Sequence, residues 1–182
     1  MNAQAAYGLL AHGLIIGALA ALLPFGEYRQ RTALAATTIA LIAGIAPAMH
    51  GIFGTPSVTL LQLAILQLAN RRPSPSLAEP AIGLLIFATC FYPLALGLGH
   101  FDPYALGYQP ANLLIGLIPI GMALWWHKHD TWLIILAIDL AAYSTGIFAN
   151  FWDVLFDPLL VLLALVIVGR LGLIRFIAVR NR

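Results

Sequence analysis

One carboxyl group lies in the middle of a long apolar stretch. Asp139 is near the centre of the run 131–149, which otherwise contains mostly aliphatic and small residues. An Asp at the centre of a bilayer costs about 2.5 to 3.5 kcal/mol, so an intramembrane carboxyl is a candidate functional group. Steps of four, three and four residues along a helix lead to Tyr143, Gly146 and Asn150. This spacing predicts a polar stripe on one helix face, running from Asp139 towards the loop that follows.

Asp139 has two interpretations that the sequence leaves open. As a functional group it would carry a proton in a coupled transporter or a relay, because burial favours the protonated form of a carboxyl. As a structural group it would be neutral and hydrogen-bonded to a neighbouring helix, through Gln62, Gln67 or Tyr143. Asp139, Tyr143 and Asn150 are therefore candidate binding residues.

Further polar candidates lie in the three loops 50–57, 99–108 and 150–158, which are rich in aromatic residues, Gly and Pro and contain no Lys or Arg. An aromatic belt at the membrane interface explains their Trp and Tyr residues but does not require acids or imidazoles. Acids without basic neighbours raise one another's pKa unless a cation or a proton is supplied. The candidate side chains are those of His50, His100, Asp102 and Asp153. We expect these four to converge to within about 10 Å of one another.

The same four residues are candidate metal ligands, because imidazole and carboxylate suit zinc, iron, nickel or manganese. No HxxxH, HExxH or CxxC spacing supports a metal site. A haem of the b type is a second cofactor hypothesis, with His12 and His50 as axial ligands on facing helices. A lone interior His is more often a hydrogen-bonded packing residue, and neither cofactor has a supporting motif.

The composition predicts that these residues are positioned by membrane helices. The chain is 62% hydrophobic and 9% charged, whereas soluble domains carry about a quarter charged residues. We predict an all-α, polytopic transmembrane bundle in which residues 1–182 form a single integral membrane domain. A net charge of +2 without a clustered basic face excludes nucleic acid as a partner. The predicted spans are 5–25, 32–53, 56–69, 80–99, 111–126, 131–149 and 157–175.

The third span decides between seven spans and six. The run 56–69 covers about 21 Å, against a hydrocarbon core of about 30 Å. If it spans, all the Lys and Arg residues fall on one side, and the positive-inside rule makes that side cytoplasmic. This favours seven spans, with the N-terminus outside and the C-terminus in the cytoplasm. The residues concerned are Arg29, Arg31, Arg71, Arg72, Lys128, Arg170, Arg175, Arg180 and Arg182.

Two further patterns have local interpretations. The pairs Asp102-Pro103 and Asp157-Pro158 are typical of an Asp that caps a helix or turn before a Pro. Asp153 is not followed by Pro and has no such capping interpretation, so it is either a site residue or a solvated side chain. Gly13 and Gly17 form a small-xxx-small pair, which more often serves internal packing than a dimer interface.

The function that these patterns favour is binding or transport of a small solute or ion, at a site that opens to the extracytoplasmic side of a bacterial-type inner membrane. Two other functions remain open. The chain would also suit an accessory or scaffold subunit of a larger membrane complex, which should co-purify with a stoichiometric partner in mild detergent. It would equally suit a membrane enzyme with an extracytoplasmic acid and base. The expected partners are the lipid bilayer and other membrane proteins or a second copy of the chain.

Overall fold

The structure is a computed structural model that describes residues 2–69 and 77–180. Within these ranges helices account for 79% of the structure and there are no strands, which confirms the all-α prediction. The predicted cytoplasmic residues Arg71, Arg72 and Arg182 lie outside the described residues.

The described residues form nine α-helices and two short 3₁₀ turns, at Gly26–Tyr28 and Tyr104–Tyr108. The predicted span 111–126 coincides with a helix, whereas the helices in the spans 5–25, 80–99 and 131–149 end four or five residues earlier than predicted. A short helix in the third loop was not predicted. The helices are α1 (Ala3–Ala20), α2 (Arg29–Ile42), α3 (Ile45–Phe53), α4 (Val58–Ala69), α5 (Ala78–Ala95), α6 (Ala111–Trp126), α7 (Asp130–Ser144), α8 (Trp152–Leu155) and α9 (Pro158–Arg180).

The predicted second span, 32–53, forms two helices rather than one. The helical segments Gly26–Ile42 and Ile45–Phe53 meet at an angle of 73°. Gly44, between them, has φ = +77°, a left-handed conformation that only glycine adopts without steric cost. The apolar pattern continues through this break because the residues on both sides of it are hydrophobic.

Two helices, Ala3–Ala20 and Ala78–Ala95, are long and apolar enough to cross a membrane, and the bent pair α2 and α3 would make a third. The segments Val58–Ala69, Ala111–Trp126 and Pro158–Leu173 are apolar but shorter. These helices are compatible with membrane association. Because only two or three of the described helices are candidate spans, the seven-span bundle is not confirmed.

Large apolar side chains cover much of the surface. Ile42, Leu96, Leu98 and Trp126 are each about 80% exposed, a degree of apolar exposure that soluble monomers avoid. Such a surface suits contact with lipid.

Helix α1 lies at the centre of one half of the molecule, where it packs against α2, α3 and α4. A Cβ at Gly17 would collide with the Thr37 hydroxyl, and one at Gly13 would lie 3.0 Å from Leu41 Cγ. Both glycines therefore serve the close approach of α1 and α2, as predicted. Helix α4 joins this half to α7 and α8, while α5 packs on α9 and α6 packs on α7.

Arg29 joins three helix ends at one side of the molecule. Its Nε donates to the Ala21 carbonyl at 3.1 Å, just after α1, and its guanidinium also donates to the carbonyl of Gln67. Gln67 belongs to the last turn of α4. The C-terminal ends of α1 and α4 thus meet the start of α2.

Candidate functional site

The second and third loops meet at the end of the molecule opposite Arg29, around the side chain of Asn150. Its Nδ2 donates to the Tyr104 carbonyl at 3.0 Å, and its Oδ1 accepts from the Trp152 N–H at 2.9 Å. Gly107 passes so close that a Cβ there would collide with the Asn150 amide. Asn150 is 1% exposed, so this binding candidate holds the loops together from inside.

Asp157 joins the first loop to the third. One carboxyl oxygen accepts from the backbone N–H of Ser57, and the other accepts from the N–H of Leu160 at 2.6 Å. Leu160 lies in the first turn of α9, so Asp157 caps that helix, as the Asp-Pro sequence predicts. Asp102 likewise accepts from the Tyr104 N–H at 2.9 Å, within its own turn.

A pocket of about 430 Å³ opens where the three loops meet, and we call it the loop pocket. Gln4 contributes from α1, Thr55 from the first loop, and the carboxyls of Asp153 and Asp157 lie in its wall. Most of the remaining lining residues are aromatic. The rings that line the pocket belong to Phe53, Phe91, Tyr92, Tyr104, Trp152 and Phe156.

The aromatic walls pack edge to face, the arrangement that aromatic rings prefer. The ring centroids of Phe91 lie 5.0 Å from those of Trp152 and 4.9 Å from those of Phe156, at interplanar angles of 64° and 84°. The Trp152 indole also donates to the Pro103 carbonyl at 2.9 Å. The walls are therefore fixed by packing and by a hydrogen bond to the second loop.

Asp153 is half-buried and bonded to a phenol. The Tyr104 hydroxyl donates to its two oxygens at 2.9 and 3.1 Å. Burial raises the pKa of Asp153, the negative charge of Asp157 raises it further, and the hydrogen bond from Tyr104 opposes both. Burial and the nearby Asp153 raise the pKa of Tyr104, so the phenol keeps its proton and remains a donor. Asp153 is thus half-buried and not merely solvated, which was the alternative to a site residue that the sequence left open.

Asp139 lies apart from this pocket, in a hydrogen-bond network between α7 and α4. It is 2% exposed and accepts from the Thr59 hydroxyl at 2.7 Å and from Gln62 Nε2 at 2.8 Å. The Gln62 amide also donates to the Ile135 carbonyl at 3.1 Å. Gln62 was one of the predicted partners, whereas Thr59 was not. Thr59 also lines a separate, largely apolar cleft of about 160 Å³.

The other predicted stripe residues lie nearer the loops. Tyr143, one turn after Asp139, packs its ring 4.9 Å from that of Phe151 at an angle of 59°. Helix α7 ends at Ser144, and Gly146 has φ = +74°, so Gly146 and Asn150 lie beyond the helix. The predicted stripe on one helix face is therefore wrong after Tyr143, because a left-handed glycine ends the helical path. The stripe's members have different surroundings: a polar network for Asp139, an aromatic contact for Tyr143 and the loop junction for Asn150.

The structure places the four loop candidates in three different settings. Asp102 and Asp153 both bond Tyr104, one at the backbone N–H and the other at the hydroxyl. His100 is exposed in the second loop. His50 lies on α3, where its Nδ1 is 3.0 Å from the Gly54 carbonyl. Of the four, Asp153 is the residue that lines the loop pocket.

The described residues give no further support to the metal site or to the haem. In the part of the chain that the structure describes, no three His, Cys, Asp or Glu side chains are grouped to hold a metal ion. The rings of His12 and His50 lie in edge contact, with centroids 5.8 Å apart at 74°. A Cβ on Gly8 would collide with the His50 ring. The His12 Nδ1 also lies 2.7 Å from the Gly8 carbonyl, as expected for a hydrogen-bonded packing residue.

The aromatic lining was missed because the sequence interprets Tyr104 and Trp152 as a membrane-interface belt. One local signal was available: Trp152 and Phe156 are four residues apart, a spacing that places two rings on the same side of a helical turn. Their partners Phe91 and Tyr92 lie about 60 positions earlier in the chain, and no local pattern connects the two pairs. Comparison with protein-family models, curated proteins and solved structures finds no match to this chain.

Proposed function

We propose that this protein is a small integral membrane protein that binds a small solute in the loop pocket. The observation that carries the proposal is the pocket itself. Its volume of about 430 Å³ lies within the range of about 300 to 1,000 Å³ of small-molecule sites. Like those sites, it combines mostly aromatic walls with a few polar groups, here Asp153, Asp157 and Gln4.

The proposed topology has seven spans and places the loop pocket on the extracytoplasmic side of a bacterial-type cytoplasmic membrane. The three loops around the pocket contain no Lys or Arg, as the positive-inside rule expects for outer loops. The contact of Arg29 with Gln67 supports the return of α4 to the basic end of the molecule. This arrangement is the one in which the run 56–69 crosses the membrane.

We further propose that binding is coupled to movement of the solute, with Asp139 as a proton carrier. The groups that bond its carboxyl, Thr59 and Gln62, are neutral. The Tyr7 hydroxyl on α1 is buried without a hydrogen-bond partner among the described residues, so α1 brings an unpaired polar group to the helices that surround Asp139.

The binding proposal is tested by filling the pocket. Ala95 lines it, and Ala95→Trp would occupy its volume without removing a polar group. Ala35 is exposed on α2 and away from the pocket, so Ala35→Trp is the matched control. The protein in lipid nanodiscs is melted with a panel of cationic, neutral and anionic small solutes. We expect at least one solute to raise the melting temperature of the wild type and of Ala35→Trp, but not of Ala95→Trp.

Two results would contradict this proposal. If no solute in the panel stabilises the wild type, the pocket is not a solute site. If instead the chain extracted in mild detergent carries a stoichiometric protein partner that Ala95→Trp displaces, the pocket belongs to an interface and the scaffold function replaces binding.

A further inference from the structure

We propose that the loop pocket selects an organic cation, whose ammonium group is held between the Asp153 carboxyl and the surrounding aromatic rings. This inference rests on the proposed binding function and adds the chemical class of the solute.

Among the described residues, the wall of the loop pocket contains two acidic residues and no Lys, Arg or His. Asp153 and Asp157 both line the pocket, and the groups that act on their carboxyls are Tyr104, backbone N–H donors, the Ser57 side chain and, for Asp153, the other acid. None of these groups is basic, and the His12 imidazole, which lies within electrostatic reach of Asp157, does not act on Asp153. A partly buried carboxylate without a counter-ion is costly, and a bound cation supplies the missing charge.

The two acids differ in what they can offer a ligand. Asp157 uses both oxygens for the N–H groups of Ser57 and Leu160, so it contributes charge but is held by the fold. Asp153 accepts a single hydroxyl, that of Tyr104, shared between its oxygens. Because an ionised carboxylate has about four acceptor positions, Asp153 retains free ones for an ammonium N–H or for close contact with a quaternary group.

The aromatic rings supply the second half of a cation site. The faces of Trp, Tyr and Phe rings attract cations within about 6 Å, and Trp is the most effective. Trp152, Tyr92, Tyr104, Phe91 and Phe156 all line the same pocket as Asp153. The site therefore combines full negative charge with ring surfaces that also accommodate methyl or methylene groups.

An organic cation fits this lining better than the other solute classes. A metal ion needs several oxygen or nitrogen ligands, and the described residues contain no group of three or more His, Cys, Asp or Glu that would hold one. An anion would be repelled by both carboxyls. A neutral solute would bury Asp153 further without compensating its charge.

The test compares pairs of ligands that share a shape and differ in charge. Choline is paired with 3,3-dimethylbutan-1-ol, and phenethylamine with 2-phenylethanol. Binding to the purified protein in nanodiscs is measured by calorimetry. Given the energies of ion pairs and cation–π contacts, we expect the ammonium member of at least one pair to bind about tenfold or more tightly than its neutral counterpart.

Three variants connect that preference to the charge of Asp153. Asp153→Asn keeps the acceptor for Tyr104 but loses the charge, and we expect it to abolish the preference for ammonium. Asp153→Glu keeps the charge and should retain the preference. Asp130 is exposed at the start of α7, away from the pocket, so Asp130→Asn removes the same charge elsewhere and should behave as the wild type.

The outcomes separate this inference from the proposed function. If neutral members bind as tightly as ammonium members, or if Asp153→Asn keeps the preference, the cation inference is overturned while solute binding stands. If the ammonium compounds do not bind, but an anionic or neutral solute stabilises the wild type and not Ala95→Trp, the cation inference is also overturned while solute binding stands. If no solute of any charge binds, both are overturned.

Discussion

At the scale of single residues, the two acids that matter most, Asp139 and Asp153, have opposite surroundings. Asp139 is enclosed between two helices and bonded by neutral donors, Thr59 and Gln62. Asp153 lies in a pocket wall beside a phenol and a second acid. The first is therefore suited to hold or release a proton, and the second to attract a charged ligand.

Substitutions at Asp139 separate a functional role from a structural one. Asp139→Asn keeps an acceptor for Gln62, and the Thr59 hydroxyl can rotate to accept from the new amide, so we expect nearly normal stability but loss of proton-coupled solute movement. Asp139→Leu leaves the Thr59 and Gln62 donors unpaired, which should lower the free energy of unfolding by about 1 to 3 kcal/mol for each lost partner. Unfolding in mixed micelles and uptake into proteoliposomes measure the two effects. Full activity of Asp139→Asn would make Asp139 a structural residue.

Binding of a cation at Asp153 should depend on pH in a defined direction. The groups that face this carboxyl are Tyr104, Asp157 and Tyr92, and burial raises the pKa of Asp153. Because a cation needs the ionised form, affinity should be full above that raised pKa and fall about tenfold per pH unit below it. Calorimetry of an ammonium ligand against pH measures the profile, and Asp153→Asn should flatten it. Affinity that increases on acidification would contradict the assignment.

The sequence predicted individual site residues better than their surroundings. Asp139 stood out because a carboxyl in an apolar run is rare, and its bond with Gln62 follows from the need of any buried carboxyl for a donor. The roles of Tyr104 and Trp152 depend on contacts with residues about 50 positions away. Periodicity carries no information about such contacts.

At the scale of helices, the break between α2 and α3 is the clearest departure from the predicted spans. Glycine at position 44 marks it, yet a single Gly within an apolar run is common in membrane helices and does not by itself predict a turn. The sequence also does not predict the end of α1 at Ala20, because the residues that follow it, Ala21 to Leu23, are as apolar as the helix itself. Hydropathy thus located the helices but not their ends or bends.

Gly44→Ala tests whether the bend depends on the glycine conformation. No atom lies near the position of the added Cβ, so the cost comes from φ = +77° alone and should be about 1 to 2 kcal/mol of unfolding free energy. Gly51 also has open space around it and lies within α3. Gly51→Ala is therefore the control, and it should be neutral or stabilising by up to about 1 kcal/mol. Equal effects of the two substitutions, measured by unfolding in mixed micelles, would show that the bend does not require Gly44.

At the scale of the whole molecule, the two ends differ in chemistry. One end carries Arg29 and its contacts with α1 and α4, and the other carries the loop pocket with its acids and aromatic rings. This polarity agrees with the proposed topology, in which the basic residues lie on one side of the membrane.

Reporter fusions test the proposed topology directly. Fusions after Arg31, Arg72, Lys128 and Arg182 should be active in the cytoplasm, and fusions near Phe53, Tyr104 and Trp152 should be active outside. The expectation follows from the positive-inside rule applied to short loops. An external position for Arg72 together with a cytoplasmic one for Arg31 would mean that the run 56–69 does not cross, and the seven-span topology would be lost.

The two contacts of Arg29 form with parts of the chain that are synthesised at different times. Carbonyl groups at the C-terminal end of a helix lack partners within the helix and carry partial negative charge. One guanidinium satisfies such groups after α1 and in α4. Gln67 follows Arg29 by 38 residues, so this contact forms only after α2, α3 and α4 have been synthesised and placed. In the proposed topology, the contact between Arg29 and Gln67 therefore forms only when four helices are present, so it should be among the last contacts made in the N-terminal half.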